Sequence, residues 1–444
     1  MDRNEVLEKM KAAEIDTLRV DFADMHGIAR GKIIPAKRLD EILEEGINCA
    51  KPTFSLDLSY NIPPGTGTAE EVNYEDMTII PDLNTFTILP YQKRTARFIG
   101  DIFAGGKPFL FSPRELLKRV MKEYEALGML PVAATELEFF VFKDNGESLE
   151  YYSNQPSNVY TTNLRVDPIY LMRKLQNALL SMGIDVLYTN HEFFQGQYEI
   201  NWRHTDAMTM ADQSFTFKTV CKEMAFINNL LVTFMDRPKN DMGGSGYHLH
   251  VSMNDVKTGK TLFDDPKGKL GMSDTMRHFI GGQLAHAKGM TPFFAPIINS
   301  YKRYALNSFA PYYIAWGLDN RTTYIRVPNE RGKATRIENR APCASANPYL
   351  VIAVALIAGL DGIKKKIDPG DYYEGDIYTE EPGKFETMPG YLHEAIGELM
   401  RDEVLCDAIG PEIIKNFTTL KLAEAERFRT FVTDWETQEY AYHL

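Results

Sequence analysis

The stretch TELEFFV at residues 135–141 alternates polar and apolar side chains, which predicts a β-strand with two unlike faces. Leu137 and Phe139 would share an apolar face, and Glu136 and Glu138 would lie side by side on the other. One such acidic pair, taken alone, is more often part of a half-solvated strand whose acidic residues face water. Two neighbouring carboxylates in a strand otherwise suited to a core nevertheless form the first candidate site.

Two further segments carry polar side chains in strand-like sequence. HEFFQGQYE brings Glu192 and Glu199 toward each other across a glycine turn, with an ordinary polar loop as the alternative. GGSGYHLHVS places His248 and His250 on one strand face behind glycines that allow close approach of a ligand, although structural histidines are also common.

Basic side chains are concentrated later in the chain, in a pattern that suits anionic oxygens or, alternatively, a salt-bridged surface. They are Arg303, Arg321, Arg326, Lys333, Arg336 and Arg340. Five glutamates accompany them, namely Glu136, Glu138, Glu192, Glu199 and Glu338. Two like charges ~4 Å apart repel by about 4 kcal/mol at an effective dielectric constant near 20, so convergent carboxylates need cations. Hard oxygen ligands favour Mg²⁺ or Mn²⁺, and cations facing arginines suit phosphoryl transfer.

The composition and charge of the chain limit the classes of protein to which it can belong. The chain has 444 residues, is 44% hydrophobic and carries a formal charge of -12, which argues against nucleic-acid or anionic-membrane partners. Its longest apolar run, 348–360, is too short to cross a bilayer, and the start lacks a signal-peptide pattern. The four cysteines are far apart in the sequence, as is typical of cysteines that stay reduced thiols. We therefore expect a cytoplasmic protein.

The pattern of elements indicates two domains. Strands are predicted at 17–23 and 29–35, and GGKP at 105–108 interrupts the pattern before a helix that begins with Ser112 as N-cap and Pro113 at its first position. We predict a small α+β domain over residues 1–104 and a larger domain over residues 105–444.

Seven motifs, in order along the chain, resemble those of the type I glutamine synthetase family. They are RFIGD (97–101), ELEFF (136–140), GQYEI (196–200), GSGYHLH (244–250), NSYKR (299–303), NR (320–321) and ANPYL (346–350). The resemblance implies an α+β fold with an N-terminal β-grasp domain and a catalytic domain built on a curved antiparallel sheet with surrounding helices. It also implies a double-ring dodecamer with active sites between neighbours.

The resemblance assigns roles to individual residues. One cation would be held by Glu138, Glu192 and Glu199, and the other by Glu136, His248 and Glu338. ATP would be contacted by His250, Ser252, Arg326, Lys333 and Arg336. Glutamate and the reacting groups would be contacted by Gly244, Arg303, Phe309, Arg321 and Arg340. Catalytic roles would fall to Asp24, Arg321, Glu338 and Arg340, with Asp24 binding the acceptor nitrogen from a neighbouring subunit.

Two positions depart from the family pattern. Ammonia-using members carry a glutamate residue just before the position of Ala310-Pro311, whereas this chain has Phe309 there. Gly243 replaces an asparagine that usually lies near the glutamate substrate. At both positions the chain resembles the γ-glutamylpolyamine and γ-glutamylalkylamide synthetase branch of the family. The chain is therefore expected to use glutamate, ATP, two Mg²⁺ or Mn²⁺ ions and an organic primary amine or polyamine. The alternatives are a glutamine synthetase that uses ammonia and an inactive relative that serves as a scaffold.

Overall fold

The structure is a computed structural model that describes residues 1–144, 146, 148–153, 159–306 and 308–444. The helices, numbered in chain order, are α1 (Arg3–Ala12), α2 (Leu39–Glu44), α3 (Pro113–Ala126), α4 (Leu171–Ser181), α5 (Ala207–Ile227), α6 (Asp274–Ala285), α7 (Ala287–Phe294), α8 (Pro348–Lys365), α9 (Leu392–Arg401), α10 (Glu403–Ile409), α11 (Pro411–Arg429) and α12 (Asp434–Tyr440). The strands are β1 (Thr17–Ala23), β2 (Ala29–Pro35), β3 (Ile47–Ala50), β4 (Asp76–Pro81), β5 (Thr87–Ile88), β6 (Thr95–Ala104), β7 (Lys107–Pro108), β8 (Met129–Asp144), β9 (Leu149–Tyr151), β10 (Val186–His191), β11 (Gln197–Trp202), β12 (Thr205–Asp206), β13 (Leu230–Thr233), β14 (Tyr247–Asp255), β15 (Trp316–Leu318), β16 (Ile325–Val327) and β17 (Ile337–Asn339).

The first sheet has the strand order β2-β1-β6-β4-β3, with β5 and β7 also paired to β6. Strand β1 runs parallel to β6 and antiparallel to β2. Its alternate residues Leu18, Val20 and Phe22 are buried in a separate small core, as the period of two requires. The domain boundary after residue 104 stays a prediction, since β7 still pairs with this sheet and ends at Pro108.

The second sheet has the order β10-β11-β8-β14-β17-β16-β15, and β9, β12 and β13 also pair with β8. Its neighbours are antiparallel apart from the β15–β16 pair. Leu137 and Phe139 of β8 point into the large core, whereas Phe140 and Phe142 belong to a small cluster on the opposite face. The predicted α+β architecture, with an antiparallel sheet and surrounding helices in the larger part, is confirmed.

Helices cover the apolar face of the second sheet. Helix α3 begins as predicted, because Ser112 accepts a hydrogen bond from the backbone N–H of Glu115 and Pro113 occupies the first turn. Helix α8 is buried over most of its length and is capped by the side chain of Asn347. Within the described ranges, no helix combines the length and the apolar character needed to cross a membrane.

His286, at the junction of α6 and α7, is held between two carboxylates. Its Nδ1 lies 2.7 Å from Asp402 and its Nε2 lies 3.1 Å from Asp361. Burial tends to lower the pKa of His286, but the two carboxylates outweigh this and raise its pKa above the usual range. The charged imidazole therefore ties α8 and the α9–α10 junction to the break between α6 and α7.

We expect the His286→Gln variant to be less stable than the wild type by about 1.5–3 kcal/mol at pH 6. A raised pKa in the folded state gives stability that is full below about pH 6.5 and is lost as pH rises through the folded pKa, so the difference should shrink at higher pH. Thermal melting from pH 6 to pH 9 measures this. His393→Gln, at an exposed position of α9, is the control. A difference independent of pH would contradict the argument.

Candidate active site

The register of the second sheet aligns the predicted acidic and histidine side chains. Glu138 of β8 lies opposite Glu199 of β11, and Glu136 of β8 lies opposite His248 of β14. Residues opposite each other in antiparallel strands point to the same face. The face that carries Glu136 and Glu138 therefore gathers groups from three strands.

Glu136 is common to two groups of three side chains whose ligand atoms lie within 4.8 Å of one another. One group adds His250 and Glu338, and the other adds Glu199 and His248. Glu136 Oε1 lies 3.0 Å from His250 Nε2, and Glu136 Oε2 lies 3.2 Å from His248 Nδ1. The sequence-based prediction assigns Glu136 to a cation and His250 to ATP. In the structure His250 also lies within reach of Glu136, because His248 and His250 are both on the sheet face that carries Glu136.

Glu138 and Glu192 extend this acidic set. Glu138 Oε2 accepts hydrogen bonds from the backbone N–H of Gly246 at 2.8 Å and from Gln197 Nε2 at 3.0 Å. Glu192 follows the end of β10 and lines the same cavity as Glu138. All six predicted cation ligands therefore surround one region of the sheet.

The electrostatics of this set favour cation binding. Burial, with the charges of Glu138 and Glu136, raises the pKa of Glu192 to about 8. Burial also raises the pKa of Glu199 well above its usual range, and the neighbouring carboxylates add to the effect. Burial and nearby like charges both disfavour the ionised carboxylate, and a cation bound among these groups would favour it. This oxygen-rich donor set suits Mg²⁺ or Mn²⁺.

Glu338 has a different environment. It is fully buried, and it accepts hydrogen bonds from Arg340 Nη1 at 2.5 Å and from Arg326 Nη1 at 2.6 Å. Burial alone would raise its pKa, but Arg340 and His250 lower the pKa to about 2. Arg326, predicted to contact ATP, is also paired with Asp319 at 2.6 Å. Glu338 thus stays ionised and positions two guanidinium groups.

A cavity of about 570 Å³ opens onto the carboxylates and is lined on another side by basic groups. Arg303 is buried and donates to the carbonyl oxygens of Ala341 at 2.9 Å and Arg340 at 3.2 Å. A Cβ on Gly244 would lie 2.5 Å from Arg303 Cγ, so only glycine fits there. Arg321 is exposed and lines the same cavity, where it could make the predicted contact with the reacting groups.

A second cavity of about 380 Å³ lies on the other side of Glu136. It contains four of the five residues predicted to contact ATP, namely His250, Ser252, Lys333 and Arg336. Ser252 Oγ donates to a backbone carbonyl at 2.8 Å, and Arg336 Nε lies 3.3 Å from His250 Nδ1. Because Glu136 lines both cavities, a molecule in each would meet at this carboxylate.

Asp24 does not lie in this site. Its side chain is fully buried at the β1–β2 turn, where it accepts hydrogen bonds from the backbone N–H groups of His26 and Ile28 and from Arg30 Nε, each at 2.9 Å. Such a carboxylate has no exposed oxygen to offer to a neighbouring subunit. The structure therefore argues against the predicted acceptor contact and favours a structural role for Asp24.

Phe309 lies at the cavity and stacks on Phe193, with ring centroids 6.0 Å apart and ring planes 13° apart. Its backbone has a φ of 55°, an unusual conformation for a large side chain. Contacts on both sides hold this segment: Arg340 Nη2 donates to the Phe309 carbonyl at 3.4 Å, and the Tyr378 hydroxyl donates to the Ala310 carbonyl at 2.8 Å.

Gly243, the second departure from the family pattern, makes room for an aromatic ring. A Cβ at this position would lie 2.1 Å from Cε2 of Phe194, which lines the cavity. Phe194 packs in turn against the cluster that contains Phe140 and Phe142. The missing side chain at residue 243 is thus replaced by a ring from the loop between β10 and β11.

We expect Gly243→Asn to destabilise the protein by about 1–3 kcal/mol and to raise KM for the acid substrate, because the Phe194 ring must move. Melting temperature and glutamate-dependent ADP release measure the two effects. The double variant Gly243→Asn/Phe194→Leu should recover much of the stability that the single variant loses. A fully stable single variant with unchanged KM would show that the ring adapts without cost.

Several residues near the carboxylates escape prediction from sequence. Asn201 Nδ2 donates to Glu199 Oε1 at 2.8 Å, and Asn190 Nδ2 lies 3.3 Å from the same oxygen. Asn201 lies two residues after Glu199, so the period of the strand could have identified it. Gln197 is on the same strand, but the contact that it makes to Glu138 crosses to β8 and depends on the register.

Comparisons with known proteins point to one family. The family profile for the glutamine synthetase catalytic domain matches residues 110–440. The chain is 37% identical to a glutamine synthetase of Pyrococcus abyssi over 438 residues, which cover 94% of this chain and 95% of the relative. It is also 37% identical to a glutamine synthetase of Thermotoga maritima over 437 residues, or 96% of each.

Two solved structures share the fold over almost the whole chain. The structure named "Apo GmaS without ligand" has a TM-score of 0.88 and 31% identity, and covers 99% of both chains. The structure named "GmaS/ADP complex-Conformation 1" has a TM-score of 0.88 and 30% identity, with 98% of this chain and 99% of that chain covered. The chain thus belongs to the glutamine synthetase family of ATP-dependent carbon–nitrogen ligases.

Proposed function

We propose that this chain joins glutamate to an organic primary amine, with ATP as co-substrate and γ-glutamyl phosphate as intermediate. The observation that carries the proposal is Phe309 at the cavity, where the family pattern of ammonia-using members has a glutamate. An aromatic ring cannot accept a proton from ammonium, but it contacts an alkyl group and attracts an alkylammonium. The solved GmaS structures share the fold, and this likeness supports an amine acceptor.

The side chains suit a two-step reaction. The γ-carboxylate of glutamate attacks the γ-phosphate of ATP and releases ADP, and the amine nitrogen then attacks the acyl carbon and displaces phosphate. Arg303 and Gly244 line the cavity and pack closely together, and in this proposal they hold glutamate. Arg321 and Arg340 line the same cavity, and in this proposal they stabilise negative charge on the transferred phosphoryl group, which is the main requirement of this chemistry.

The acidic set is suited to two Mg²⁺ or Mn²⁺ ions per site. We assign Glu138, Glu192 and Glu199 to one ion and Glu136, His248 and Glu338 to the other, with Glu136 near both. When bound, such ions neutralise phosphate charge and act as Lewis acids. The raised pKa values of Glu192 and Glu199 support this assignment, because burial and mutual repulsion of the carboxylates cause them and a bound cation would offset that repulsion.

Glutamine synthesis from ammonia is the second candidate. It is favoured by the relatives named glutamine synthetase, which are 37% identical to this chain. An inactive scaffold is disfavoured, because five of the six predicted cation ligands line one cavity together with Arg321 and Arg340, and the sixth, Glu338, is grouped with Glu136. The dodecamer, the cytoplasmic location and the use of polyamines stay predictions.

An amine panel tests the proposal. ADP release should require glutamate, Mg²⁺ or Mn²⁺ and a primary amine, and mass spectrometry should identify the γ-glutamyl amide. Ammonia, methylamine, ethanolamine, isopropylamine and putrescine are supplied one at a time at equal concentration. If ammonia were the only one of these acceptors to give appreciable turnover, glutamine synthesis would be favoured and the organic-amine ligase excluded.

A further inference from the structure

Phe193 forms the second half of the aromatic pair at the cavity, and nothing in the family pattern described above assigns it a role. We propose that Phe193 and Phe309 together bind the apolar substituent of the acceptor, so that the acceptor is a short alkyl monoamine rather than a polyamine. This inference rests on the proposed function and specifies the acceptor class of the same site.

The geometry of the pair leaves room for a ligand. The rings are nearly parallel, and Phe193 is 49% exposed while Phe309 is 58% exposed. Large apolar side chains that line a cavity while keeping half their surface in water mark a binding surface more often than a core. An alkyl group placed against the two rings would remove from water both its own apolar surface and the exposed surface of the rings.

The position of the pair connects it to the reacting groups. Phe193 directly follows Glu192, whose carboxyl belongs to the acidic set. The Phe309 carbonyl is contacted by Arg340, which also holds Glu338. An amine whose alkyl group rests on the rings would therefore have its nitrogen directed toward the carboxylates and arginines where the acyl phosphate forms.

The charges around the cavity disfavour a second ammonium group. Among the described residues that line the cavity, the acidic ones are Glu136, Glu138, Glu192 and Glu199. All four are assigned to cations, so none remains to pair with the distal ammonium of a polyamine. Arg321, which is exposed at the same cavity, would repel that ammonium.

A homologous series of amines tests the inference on the full-length enzyme. For methylamine, ethylamine and n-propylamine, kcat/KM should rise by about fourfold per methylene until the rings are covered. Ethanolamine, which is similar in length to n-propylamine but ends in a hydroxyl, and putrescine, which ends in a second ammonium, should both fall below n-propylamine.

The Phe193→Ala variant should flatten the alkyl series, mainly through higher KM for the longer amines, while KM for glutamate changes less than twofold. Phe193→Leu, which keeps an apolar side chain, should restore part of the slope. Phe226→Ala, at a position 80% exposed on α5, is the matched control and should leave the series unchanged. Circular dichroism and melting temperature check that each variant folds.

The possible outcomes separate this inference from the proposed function. Putrescine as the best acceptor would overturn the inference but leave an organic-amine ligase in place. An alkyl series with the same slope in the wild type and in Phe193→Ala would also overturn it. Turnover with ammonia alone would overturn the proposed function itself.

Discussion

Replacing Glu136 with glutamine is expected to lower kcat/KM on the order of 10³-fold. Glu136 is the one side chain common to both groups of candidate ligands, and it lines both cavities. Glutamine keeps the shape and one acceptor oxygen but removes the negative charge. The variant should therefore bind cations more weakly, and it should also align the molecules in the two cavities less well.

The measurement pairs steady-state kinetics with titration of Mn²⁺ by calorimetry. Wild-type protein should bind two Mn²⁺ ions per chain, and the Glu136→Gln variant should bind them much more weakly. Glu125→Gln, an exposed position on α3, controls for the loss of a surface charge. Unchanged Mn²⁺ binding in the Glu136 variant would remove this residue from the cation site.

Phe309→Glu should shift acceptor preference toward ammonia, raising the ratio of kcat/KM for ammonia over methylamine on the order of 100-fold. A carboxylate at this position can take a proton from ammonium, whereas the present ring offers only apolar and cation–π contact. The segment is held by Arg340 and Tyr378 through the carbonyls of Phe309 and Ala310, so a new side chain at residue 309 should keep the same direction.

Phe309→Gln is the matched control, because it removes the ring without adding a charge. If the carboxylate is what matters, only the glutamate variant gains activity with ammonia, whereas both variants lose activity with alkylamines. Equal profiles for the two variants would show that the ring excludes ammonia sterically. An amine profile that neither substitution changes would show that Phe309 does not control acceptor choice.

Local patterns predicted the parts of the fold and site that depend on nearby residues. The period of two placed Glu136 and Glu138 on the face opposite Leu137 and Phe139, and the structure has this arrangement. The cap at Ser112 likewise predicted the start of α3. These features follow from interactions between residues a few positions apart, which sequence alone specifies.

Features that depend on pairing between distant segments could not be predicted in the same way. His250 lies against Glu136 across 114 residues, because β14 pairs with β8 in a particular register. The burial of Asp24 depends on the turn and on Arg30 closing over it. The Phe193–Phe309 pair joins two loops, and no periodic pattern in the sequence connects loops.

The most direct test of the central claim is a competition for the acceptor. The enzyme is given glutamate, ATP and Mg²⁺ with ammonia and n-propylamine at equal concentrations of free base, and both products are quantified by mass spectrometry. The proposed function, together with the aromatic acceptor site, predicts that γ-glutamylpropylamide exceeds glutamine and that total amide equals ADP formed. Glutamine as the dominant product, with γ-glutamylpropylamide present only in trace amounts, would contradict it.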